Sequence, residues 1–119
     1  MSVTLRRATV ADAEFVAELY ANEDVRPWLA VAGPYDRERV LAELERFEAD
    51  PDAGALVLIE VDGEPAGVSA WERVNGRSRI AHLGGLAIHP DFRGSRVADE
   101  AARVLQRELI RGLGFHRLE

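Results

Sequence analysis

The 119-residue sequence has no cysteine and no lysine. Without cysteine there is neither a disulfide framework nor a thiolate metal site, and a reducing, cytoplasmic location is expected. The three histidines show no His-x-x-x-His spacing, so no metal is expected. No apolar run is long enough to span a membrane, and the opening "MSVTLRRATVADAE" lacks the apolar core of a signal peptide. No Ser-His-Asp arrangement or nucleophile elbow is present. What remains is a chain with 47% hydrophobic residues, enough for a core, and a length that predicts one domain over residues 1–119.

All 15 basic residues are arginine, which reads as compositional bias rather than function. The net charge of −6 argues against nucleic-acid binding, but it is unevenly spread. Residues 1–69 hold six arginines against fifteen acidic residues, a net −9; residues 70–119 hold nine against six, a net +3. Solvated helix faces account for such a pattern; so does an anionic ligand on the later half and a cationic one near the earlier half.

"SVTLRRAT" reads as a strand, and "TVADAEFVAELYAN" places Phe15, Val16, Leu19 and Tyr20 on one helical face with Thr9 as N-cap. After a loop with Pro27, Gly33 and Pro34, "YDRERVLAELERFEA" restores helical spacing at Val40, Leu41, Leu44 and Phe47. "ALVLIEV", "AGVSAWERV" and "SRIAHLGGLAIH" read as three antiparallel strands, joined at Asp62-Gly63 and Asn75-Gly76, pairs that tolerate the positive φ of tight hairpins. Pro90 closes the third of them. A last helix from about Val97 to Arg111 is expected to bury Val97, Ala101, Val104, Leu105 and Leu109, with Gly112 or Gly114 at its end. "FHRLE" begins another strand. The order β-α-α-β-β-β-α-β predicts an α+β domain with a mixed, mostly antiparallel sheet flanked by helices.

The string "LGGLAIHPDFRGSRVADEAARVLQRELIRGLGFHRLE" resembles the acyl-CoA binding segment of the GNAT superfamily of N-acyltransferases. That family's signature is Gln or Arg, two variable residues, Gly, one variable residue, then Gly or Ala. Arg93 fills the first slot, Gly94 and Ser95 the variable pair, Arg96 the glycine slot, Val97 the next and Ala98 the last. "LRRATVADAEFVAELYANEDVRPWL" and "RVADEAARVL" resemble the branch that includes ribosomal-protein N-terminal acetyltransferases. Family members normally continue with the rest of a fifth strand, a fourth helix and two more strands. The resemblance therefore implies a C-terminally incomplete fold and a homodimer or a completing partner chain.

The physics of the loop stands apart from the name. Backbone N–H groups from about Gly94 to Ala98 can converge on a pyrophosphate at a helix N-terminus, whose dipole favours the charge. At Arg96 two outcomes stay open: its guanidinium adds a phosphate contact, or its Cβ narrows the cradle. The resemblance further implies that Leu86, Ala87 and Ile88 pair with the pantetheine arm as an added strand would. Gly84-Gly85 suits the bulge that relatives place in this strand, and equally a simple sheet bend.

Acyl transfer to an amine needs a neutral nucleophile, an oxyanion donor and a proton for the thiolate. His82 occupies the position where many relatives carry a glutamate on the fourth strand, and Glu72 on the preceding strand is the alternative base; both equally suit plain strand surface. A main-chain N–H near Leu86 would meet the oxyanion. The tyrosine that relatives use for the thiolate lies on the fourth helix, beyond this chain. His89 belongs to the family's His-Pro pair and reads as structural. Trp28 and Tyr35 flank the loop where relatives admit the acceptor. The expected activity is transfer of acetyl from acetyl-CoA to a primary amine, a peptide N-terminus or a small amine, with no metal, nucleic acid or membrane involved. The alternative is a non-catalytic CoA-binding or interaction subunit or fragment, completed by a partner.

Overall fold

Alternation along the strands sorts the side chains of one sheet onto two apolar faces, each covered by helix. The structure is a computed structural model and describes residues 2–23, 36–74, 79–92, 96–115 and 117–118. Strand β1 (Val3–Arg7) leads through a 3-10 turn (Val10–Asp12) into α1 (Ala13–Ala21), followed by α2 (Arg37–Ala49). Strands β2 (Gly54–Val61), β3 (Glu64–Arg73) and β4 (Ile80–Ile88) follow, then α3 (Val97–Arg107), which runs on through a π-helical turn (Glu108–Gly112) to β5 (Arg117–Leu118). The sheet order is β1-β2-β3-β4-β5; the first four are antiparallel to their neighbours and β5 is parallel to β4. The expected element order and mostly antiparallel sheet are both present.

On one face Leu56, Leu58, Val68 and Ala87 pack against Val16, Leu19 and Tyr20 of α1 and Val40, Leu44 and Phe47 of α2. On the other, Ala55, Val57, Trp71 and Ala81 meet Leu105, Leu109 and Phe115, while Ile59, Val61 and Ile88 meet Val97 and Ala101. Two covered faces explain why β2 reads as a continuous apolar run. Full burial of an aliphatic chain such as Leu58 contributes about 1.5–3 kcal/mol.

Local chemistry ties the elements together. The Thr9 N–H donates to Asp12 Oδ2 at 2.8 Å across the 3-10 turn that introduces α1, and the N-cap of α1 is Asp12 rather than the expected Thr9. Arg6 donates to both Asp12 oxygens at 2.8 Å and lies 3.3 Å from Glu60. The Asp36 carboxylate accepts from Arg39 N at 3.0 Å and caps α2. Asp62 (φ 51°) and Gly63 (φ 87°) take the two left-handed conformations of the predicted hairpin. The Asn75-Gly76 turn lies outside the described residues, though Val74 N–H donates to Ile80 O beside it at 3.0 Å.

The last helix differs from its expected form. Its α-helical part ends at Arg107 rather than Arg111, and in the π turn beyond it Leu113 N–H donates to Glu108 O at 3.1 Å. The wider turn keeps Leu109 buried and carries the chain, through Gly114 at φ 78°, to Phe115, whose ring meets Trp71 edge-on at 5.4 Å. Val104 is half-buried rather than buried, because the contact stripe runs through Val97, Ala101, Leu105 and Leu109 at i, i+4 spacing and leaves it on the flank.

Candidate functional site

Strand β4 and the start of α3 hold most of the residues singled out from the sequence. Between Val68↔Ala87 and Ala70↔Gly84 the register of β3 against β4 slips: the single residue Ser69 stands opposite Gly85 and Leu86, so β4 carries one extra residue, a bulge just beyond Gly84. Its effect is a change of face. Ahead of the bulge Ala81 and Leu83 lie on the α3 side; beyond it Ile88 does, while Ala87 turns to the α1 and α2 side. A Cβ built on Gly84 would find only the Ala70 Cβ, at 3.8 Å, so packing within the protein does not demand glycine there. At Gly67 the same Cβ would collide with the Ala87 carbonyl and Ile88.

His82 and Glu72 are register partners on β4 and β3, ahead of the bulge, and both are exposed. Glu72 is not a free base: Arg46 of α2 holds its carboxylate at 2.6 Å and reaches Glu43 at 3.2 Å. The Glu72 hydrogen bond raises the Arg46 guanidinium above its ordinary pKa. That pairing links residues 26 apart and left no local signal in the sequence. Leu86 is 39% exposed, while Ala87 and Ile88 are core residues whose main chain remains on the strand.

At the entry to α3, Arg96 has φ 63° and ψ 19°, a left-handed N-cap. This is the slot in which the signature asks for glycine, and the conformation is one glycine adopts without Cβ strain. The helix ladder starts with Glu100 N–H donating to Arg96 O at 3.1 Å, so the N–H groups of Val97, Ala98 and Asp99 precede it. Val97 turns its side chain into the core and Ala98 packs beside it, so their main chain carries what they offer a ligand. Glu100 pairs with Arg103, which draws one of the two acidic side chains of the first turn away from the helix entry. A left-handed residue before helix N–H groups that precede the ladder is a backbone form able to meet an anion. Arg93, Gly94 and Ser95 lie outside the described residues, as do Trp28 and Tyr35. His89 Nδ1 accepts from Asp91 N at 3.1 Å and caps the 3-10 turn at Pro90–Phe92. Among the described residues no group of three or more His, Asp or Glu side chains forms a metal site.

The model of the acetyltransferase (GNAT) domain matches residues 2–119. The chain belongs to the GNAT acetyltransferase family. Similar solved structures include a GNAT-fold ribosomal-protein-alanine N-acetyltransferase from Brucella melitensis biovar Abortus 2308, with 19% identity and a TM-score of 0.73 over 98% of this chain and 77% of that one. A spermidine N-acetyltransferase SpeG K23-Q34 chimera from Vibrio cholerae and hSSAT gives 18% identity and a TM-score of 0.83 over 99% and 69%. The PaiA N-acetyltransferase from Thermoplasma acidophilum, solved in complex with coenzyme A, gives 19% and 0.66 over 97% and 76%. At these identities the likeness is one of fold. A comparison with curated proteins finds no match. No helix among the described residues is long and apolar enough to cross a membrane.

Sequence reasoning also missed a buried polar group of this GNAT domain. Ser69 of β3 is the only buried polar side chain among the described residues, with its Oγ 3.5 Å from Gly84 O at the bulge. Its signal was available in "GVSAWER", where a serine shares the face of Trp71.

Proposed function

We propose that residues 1–119 form one acyl-CoA-binding GNAT domain that transfers an acyl group, acetyl in the family's reaction, from acyl-CoA to a primary amine by direct attack. The observation that carries this reading is the left-handed Arg96 at the N-terminus of α3, on the far side of the β4 bulge. Arg93 to Ala98 would cradle the pyrophosphate, and the main chain of Leu86, Ala87 and Ile88 would pair with the pantetheine arm. The amine nitrogen attacks the thioester carbonyl carbon, the C–S bond breaks, and the thiolate leaves with CoA. A main-chain N–H near Leu86 would meet the oxyanion as charge develops. His82 takes the amine proton, directly or through water; Glu72, engaged by Arg46, is the weaker choice of base. Trp28 and Tyr35 would face the acceptor, a peptide N-terminus or a small amine. A cytoplasmic location accompanies this reading, since a cysteine-free chain makes no use of an oxidising compartment.

The rival reading, a CoA-binding subunit without catalysis, draws on the same Arg46–Glu72 pair, which leaves the exposed His82 as the remaining candidate base. Calorimetric titration with acetyl-CoA, paired with an assay of CoA release in the presence of primary amines, separates the two. Binding and turnover are expected, with His82→Ala lowering turnover most at mildly acidic pH, where free amine is scarce. Binding without turnover for any amine would favour the rival. An unchanged pH–rate profile in His82→Ala would remove that residue from the chemistry.

A further inference from the structure

We propose that the cavity between α3 and the sheet beside the bulge receives the acyl chain, and that this enzyme accepts acyl groups larger than acetyl. The inference rests on the acyl-CoA reading above and names the donor class. The cavity holds about 200 Å³ and is walled by Leu5, Ile59, Leu83 and Leu105, with Gly84 and the bulge's Leu86 at its β4 side. It runs from the buried Ile59 out to Leu86, 39% exposed, on the stretch of β4 proposed to pair with the pantetheine arm. An apolar cavity of about 150 Å³ holds benzene, so a chain of about four to six carbons suits this one. The two carbons of acetyl would leave most of it empty.

Ser69 supplies an independent sign that something enters. Its hydroxyl lines the cavity at 5% exposure, and its one hydrogen-bond contact among the described residues, to Gly84 O, is stretched to 3.5 Å. A buried hydroxyl with spare hydrogen-bonding capacity is costly unless water or a ligand meets it. Ala101 and Ala102, small residues on α3, keep the helix side of the space open.

The test is a calorimetric series of CoA, acetyl-CoA, butyryl-CoA and hexanoyl-CoA on the full chain. Affinity is expected to rise from acetyl to hexanoyl by at least about tenfold, since each buried methylene is worth up to about fourfold. In Ala102→Leu, which fills the space, the rise is expected to shrink to less than about twofold while CoA without an acyl group binds as before. Thermal unfolding checks that the variant is folded, and the series on the unaltered chain decides the proposal even if it is not. A flat series on a chain that binds CoA would overturn the acyl cavity and leave the CoA reading standing. Loss of CoA affinity in folded Ala102→Leu would also overturn it, since the cavity would then house the pantetheine arm. Absence of CoA binding in the unaltered chain would bring down the reading and this inference together.

Discussion

The two faces of the sheet are built differently. On the α1 and α2 side, Val16, Val40 and Leu58 are fully buried, and the charges nearby are paired off: Arg6 with Asp12 and Glu60, Arg46 with Glu72 and Glu43. On the α3 side there are two cavities, of about 200 and 310 Å³, and α3 widens into a π turn next to the second. The left-handed Arg96 sits at the entry to that same helix. A protein interior is ordinarily close-packed, and irregular backbone gathers where function needs it. Among the described residues, the α3 face carries gaps and a left-handed backbone that a bound acyl-CoA would use.

The largest expected effect tests that contrast in packing. Leu58→Ala removes a fully buried side chain from the tight face, whereas Leu105→Ala removes one that already borders both cavities. A side chain beside a void has fewer atoms to lose. Urea unfolding is expected to give about 4 kcal/mol for Leu58→Ala and about 2 kcal/mol for Leu105→Ala. Equal losses would erase the difference between the faces.

A smaller effect sharpens the electrostatic half of the comparison. The hydrogen bond from Arg6 holds the Asp12 carboxyl below its ordinary pKa of 3.8, with the Thr9 N–H helping and partial burial opposing. A carboxyl lowered in the folded state contributes stability that is complete above 3.8 and is lost as pH falls through the lower, folded value. Asp12→Asn is expected to cost about 1 kcal/mol at neutral pH and to remove this part of the acid dependence. Arg6→Ala should do the same. If both variants keep the full acid dependence below pH 3.8, the pair does not anchor this face.

Much of this arrangement was legible because it is local. Period-3.6 spacing marked α1, α2 and the contact stripe of α3, Asp62-Gly63 marked its hairpin, and Gly84-Gly85, open to a bulge or a bend, stands where the bulge of Gly85 and Leu86 forms. What could not be read depends on distant partners. The Arg46–Glu72 pair and the cavity between Leu5, Ser69 and Ala102 exist only once the sheet has formed. The π turn is a case of packing overriding helical periodicity, since the wider turn keeps Leu109 in the core and lets Phe115 reach Trp71. The signature's glycine slot was visible in the sequence, but its physical meaning was not: the position calls for a left-handed backbone, and Arg96 supplies it at a cost.

That cost gives the smallest expected effect and the most informative one. A non-glycine residue in the left-handed region is strained by about 1–2 kcal/mol, while glycine adds back about 0.5–1 kcal/mol of unfolded-state entropy. Arg96→Gly should therefore stabilise the fold by about 0.5 kcal/mol, a rise in Tm of a few degrees. If strain were all that mattered, CoA affinity would stay level or improve with the freer cradle. If the guanidinium touches phosphate, affinity falls and its salt dependence flattens even as Tm rises. The expected outcome is this split, a more stable variant that binds CoA less tightly, because an arginine that only strained the loop would have no reason to sit in a slot made for glycine. Calorimetry at two salt concentrations beside a thermal melt reads both quantities on one preparation. A variant that is more stable and also binds more tightly would show that Arg96 obstructs the site.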